Sequence, residues 1–84
     1  MENDVNERDQ WCFGCGPKNP FGLKLCFEER NDTYITRFTG QPQHQSYDGI
    51  MHGGIVSTLL DEIMARYLHA KGMKAVTARL EVRL

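Results

Sequence analysis

From Gly53 or Gly54 to Lys71 the chain carries one long helical pattern, and any fold it adopts must cover that helix. Gly72 supplies the C-terminal stop. At about 100° per residue, three sectors emerge. Val56, Leu60, Ile63 and Tyr67 make a large apolar face. Thr58, Glu62, Arg66 and His69 make a polar one, with Glu62 and Arg66 spaced as a solvated i,i+4 ion pair. Asp61 lies between the two, with Ser57 and Ala65 one turn away and Gly54 two turns back. A helix with so broad an apolar stripe has to lie across a sheet.

Strand patterns flank it. Between Gly22 and Glu29, Leu23, Leu25 and Phe27 alternate with Lys24, Cys26 and Glu28. Arg30-Asn31-Asp32 reads as a turn, and Thr33–Thr39 as a β-branched, aromatic second strand antiparallel to the first. Gly40–Met51 reads as a surface loop. Ala75–Leu84 alternates again: Val76, Ala78, Leu80, Val82 and Leu84 face one way, Thr77, Arg79, Glu81 and Arg83 the other. The predicted order is strand, strand, long helix, strand, an α+β arrangement.

Upstream, Met1–Gln10 is polar and reads as a flexible tail, which leaves one domain over residues 11–84. Trp11–Pro20 is rich in Gly, Pro and aromatics, as suits an ordered loop whose Trp11 and Phe13 pin it to a core. An 84-residue chain builds only a thin core, so association is expected. Ten Lys plus Arg against eleven Asp plus Glu leave no basic patch for nucleic acid. No run is long and apolar enough for a membrane span. The start is unlike an export signal, and three cysteines suit no disulfide framework. A cytoplasmic protein is expected.

The chemistry concentrates around the helix. Gly53 and Gly54 strip its first turn of side chains and leave backbone N–H groups approachable. With the positive end of the helix dipole, those amides suit an oxyanion. His52 precedes them, open to two readings: a participant in that chemistry or a capping residue. Asp61 is equally open: a carboxylate on a strip of small residues is either reachable or a boundary residue facing water. Asp61 stands roughly 12 Å along the helix from Gly53. The two cannot act on one atom within one monomer, so a shared site would form across a subunit interface.

The run His52–Leu68, HGGIVSTLLDEIMARYL, resembles the helix of the hotdog-fold thioesterases, in particular the 4-hydroxybenzoyl-CoA thioesterase superfamily and its PaaI-like branch. Cys12–Leu25, CFGCGPKNPFGLKL, is similar to the loop and first strand of a subgroup of these proteins, and AVTARLEVRL to their strand after the helix. The resemblance implies a hotdog fold, a long helix wrapped by an antiparallel sheet, with two subunits pairing their sheets. It implies hydrolysis of an acyl-CoA substrate without a cofactor or metal, in a homodimer or homotetramer. Asp61 matches the carboxylate that acts as nucleophile or general base. Gly53 matches the glycine whose N–H polarises the thioester carbonyl, and His52 supports that loop or the leaving group. Gly54, Ser57 and Ser46 fall at substrate-binding positions. Ser46 stands where many relatives carry Asn or Gln, with Gln45 beside it. The family's sheet continues past the strand matched by Ala75–Leu84, so a domain incomplete at its C-terminal side is expected.

Two other readings compete. A hotdog domain of this kind can bind acyl-CoA, or only assemble with partners, without turnover. Alternatively Cys12-x-x-Cys15, with Cys26 and His44 or His52, could supply zinc ligands, although one CxxC with irregular later spacing also fits a turn whose cysteines are small apolar fillers. The acyl group is not legible in the residues.

Overall fold

The helix forms where its pattern lies. In the computed structural model of the protein, which describes residues 9–84, α1 spans Gly53–Ala70. It starts at the N-cap His52 and ends at Lys71, whose N–H reaches back to the carbonyls of the last turn. Gly72 follows at φ 81°, the left-handed conformation that terminates helices. Lys71 Nζ sits 5.3 Å from the Tyr67 ring centroid, placing a cation beside the negative helix end.

Two compact units make up the chain, one ending at Phe38 and one spanning Thr39–Leu84. The first holds a short antiparallel hairpin, β1 (Glu28–Arg30) and β2 (Thr33–Ile35), in which Glu29 faces Tyr34. Asn31 at φ 50° and Asp32 at φ 65° make the two-residue turn, both in the left-handed region that such tight hairpins demand. Phe27 and Tyr34 pack diagonally across the hairpin with ring centroids 6.3 Å apart. The Arg30–Glu28 ion pair on its surface contributes little.

The strand expected over Gly22–Glu29 is paired only at its end. Lys24 takes φ 52°, which turns the chain, and the amides of Leu23 and Leu25 bond to the carbonyls of Phe13 and Gly14 in the preceding loop. The alternation nevertheless predicts burial: Leu23, Leu25 and Phe27 are buried together with Cys15. These four are the buried apolar side chains among the described residues, and all belong to the first unit. Trp11 and Phe13 do not pin the loop as expected, since they are 65% and 46% exposed. Backbone hydrogen bonds hold it instead, and its inward filler is Cys15. The expected tail, Met1–Gln10, lies outside the described residues except for Asp9 and Gln10, whose carbonyls accept from Cys12 and Lys18.

In the second unit the loop before α1 contains a 3-10 turn, Pro42–His44, and a bridge between Gln45 and Met51. The Ala75–Leu84 segment forms no strand. It runs back beside α1, with Thr77 against Asp61 and Leu84 against Gly53. Its intended apolar face stays open, with Val76 93% and Leu84 79% exposed, and no strand among the described residues lies alongside to satisfy its amides and cover its side chains. The polar face of α1 also departs from expectation. Arg66 is 7% exposed and so does not lie on a solvated face, while Leu60 and Met64 are 42% and 49% exposed. The architecture is therefore α+β, one long helix and a short antiparallel sheet. No helix among the described residues is long and apolar enough to cross a membrane.

Candidate functional site

The first turn of α1 treats its two glycines differently. His52, at φ −60° and ψ 133°, leaves the helix in an extended conformation and folds its ring back over Gly54. Its Nδ1 accepts the Gly54 N–H at 2.8 Å. That bond caps the helix, and it places the proton of the neutral ring on Nε2. A side chain at Gly54 would press against the same ring, 2.9 Å from Nδ1. The Gly54 amide is thus consumed internally. The Gly53 N–H has no hydrogen-bond partner among the described residues, and it sits at the positive end of an 18-residue helix. Leu84 lies over Gly53 so closely that a Cβ there would come 2.6 Å from its Cδ1.

Asp61 is half-buried and does not face bulk water unaided: the Thr77 hydroxyl donates to its Oδ1 at 2.5 Å. This short contact fixes one carboxylate oxygen and leaves Oδ2 as the second acceptor position. Thr77 is the neighbour of Asp61 that residue patterns missed. It sits on the polar side of the alternating Ala75–Leu84 segment, and the signal that could have found it is a hydroxyl amid charged neighbours.

The remaining candidates are less available than their positions suggest. Ser57 turns its hydroxyl onto the Gly53 carbonyl at 2.9 Å, a bond within the helix. Ser46 donates weakly to the Ile50 carbonyl at 3.5 Å. Gln45, beside it, staples the loop with both ends of its amide: Nε2 donates to the Pro42 carbonyl at 3.0 Å, and Oε1 accepts from Gly49 N–H at 2.6 Å. A cleft of about 360 Å³ opens in this loop, lined by Gly40, Pro42, His44 and Met51 among others; His52, Gly53 and Asp61 are not in its wall.

Gly53 and Asp61 remain on one helix, about 12 Å apart in rise. They are two separate positions, a backbone N–H without a partner among the described residues and a half-buried carboxylate. As for zinc, Nδ1 of His44 accepts from Gln41 N–H at 2.9 Å and Nδ1 of His52 from Gly54, so a neutral ring carries its proton on Nε2 and offers an ion no lone pair while these bonds are made. Cys26 Sγ is turned towards the Lys24 carbonyl at 4.0 Å. None of Cys12, Cys15 and Cys26 forms a disulfide. No protein-family model, curated protein or solved structure matched the chain.

Proposed function

We propose that this chain is an acyl-CoA thioesterase of the hotdog type, acting as a dimer in which the Gly53 amide of one subunit faces Asp61 of the other. The observation that carries this reading is the division of labour at the head of α1: the Gly54 N–H is capped by His52, while the Gly53 N–H at the positive helix end has no hydrogen-bond partner among the described residues. Leu84, which lies over Gly53, would have to move aside for a substrate. A single aimed amide is what a thioester carbonyl needs as its oxygen gains charge.

The carboxylate supports the same chemistry. With Oδ1 held by Thr77, Oδ2 of Asp61 takes a proton from water as that water attacks the carbonyl carbon. The tetrahedral intermediate places its oxyanion on the Gly53 amide, and collapse expels the CoA thiolate. His52 acts from behind, holding the first turn rigid through Nδ1. Half-exposed Leu60 and Met64 favour association, because a second subunit would cover them.

The test is release of free thiol from a panel of acyl-CoA esters. Wild-type protein is expected to turn over at least one ester, and Asp61→Asn to lower that rate by about 10²–10⁴-fold. Turnover that survives Asp61→Asn intact removes the assignment. Acyl-CoA binding without any hydrolysis establishes the non-catalytic reading instead.

A further inference from the structure

The loop ahead of the hairpin holds a pair of thiols that the thioesterase chemistry does not use. Cys12 is half-buried and Cys15 is 3% exposed, and their sulfur atoms lie within 4.8 Å of each other. We propose that this pair binds a thiophilic divalent cation of the zinc class, with Cys12 and Cys15 as two thiolate ligands. The inference is independent of the hydrolase reading.

The backbone around the pair is built to bring the sulfurs together. Gly16 N–H donates to the Cys12 carbonyl at 2.8 Å and closes the turn on itself. The closure is tight enough that a Cβ at Gly16 would collide with Cys12 N, Cys12 O and Gln10 O, so no residue with a side chain could stand there. On one flank Cys12 N–H donates to the Asp9 carbonyl at 3.1 Å and Lys18 N–H to the Gln10 carbonyl at 2.9 Å. On the other, Leu23 and Leu25 donate to the carbonyls of Phe13 and Gly14, between the cysteines, at 2.8 and 2.9 Å. Every peptide next to the two sulfurs is therefore tied down.

A pair of apolar fillers would need only to be buried, with no reason for convergent sulfurs; here one is buried and the other half-open. Thiolates about 2.3 Å from a tetrahedral ion stand roughly 3.8 Å apart. That spacing falls within the 4.8 Å that bounds the separation of the Cys12 and Cys15 sulfurs. The ion would enter from the side of the more exposed Cys12, and its other positions would be filled by oxygen or nitrogen ligands. Metal binding itself favours the thiolate forms of its ligands.

Cd²⁺ is the probe, added to the full, reduced chain under anaerobic conditions and followed by the ultraviolet sulfur-to-cadmium charge-transfer band. The wild type is expected to saturate at roughly one ion per chain. Cys26→Ser is expected to keep the band, and both Cys12→Ser and Cys15→Ala to lose it. Cys12→Ser changes a half-buried position and preserves side-chain size; its far-ultraviolet circular dichroism checks that it still folds. A wild type that gives no band, or a band that persists in folded Cys12→Ser, overturns the proposal.

Discussion

Two groups at the residue scale carry the proposed chemistry, the Gly53 amide and the Asp61 carboxylate, and both lie on α1. Gly53 occupies the first position of α1, where proline is tolerated because the N–H there has no helical acceptor. The preceding His52, at φ −60° and ψ 133°, already has the extended conformation that a following proline requires. Gly53→Pro is therefore expected to preserve helix content by circular dichroism, after Leu84 yields its place, and to lower kcat by about 10²–10³-fold through loss of one oxyanion donor. Thr77→Val removes the charge-assisted hydrogen bond to Asp61, on the order of 1.5–3 kcal/mol. Steady-state kinetics should show a fall of about 10–100-fold, mainly in kcat. Unchanged kcat in Thr77→Val would mean that the contact is structural. The placement of Asp61 and Gly53 on one helix was legible in the sequence because a helix fixes its own spacing. Thr77 was not, because contact between a helix and the chain that returns beside it depends on tertiary placement.

The hairpin and the helix, at the scale of elements, follow local rules closely. The Asn31-Asp32 turn puts two residues with side chains in left-handed conformations. Glycine at the second position removes that penalty, so Asp32→Gly is expected to stabilise the protein by about 0.5–1 kcal/mol in chemical denaturation. A loss of stability would contradict the tight two-residue turn. Both helix ends were readable from Gly53 and Gly72, and so was the burial of Leu23, Leu25 and Phe27. Strand pairing was less readable, since alternation reports which side chains are covered and not which amides are bonded. At Lys24 a left-handed backbone breaks the ladder while the inward pattern continues. The Ala75–Leu84 pattern is equally regular, yet no strand among the described residues lies beside it to pair. Trp11 and Phe13 were misread because aromatic residues in a glycine-rich loop look like anchors, whereas backbone hydrogen bonds carry that role.

Taken as a whole molecule, the chain concentrates its buried apolar side chains in the unit ending at Phe38. The unit carrying α1 leaves Leu60, Met64, Val76 and Leu84 open, surface that a second subunit would remove from water. The proposed dimer also resolves the 12 Å rise between donor and activator, since each site takes Gly53 from one subunit and Asp61 from the other. The most direct measurement of that claim mixes two inactive proteins. Asp61→Asn and Gly53→Pro are co-refolded and assayed for thioester hydrolysis. In a mixed dimer one site combines an intact Gly53 with an intact Asp61, so the mixture should recover about a quarter of wild-type turnover. A mixture no more active than either variant alone would contradict a site shared between subunits.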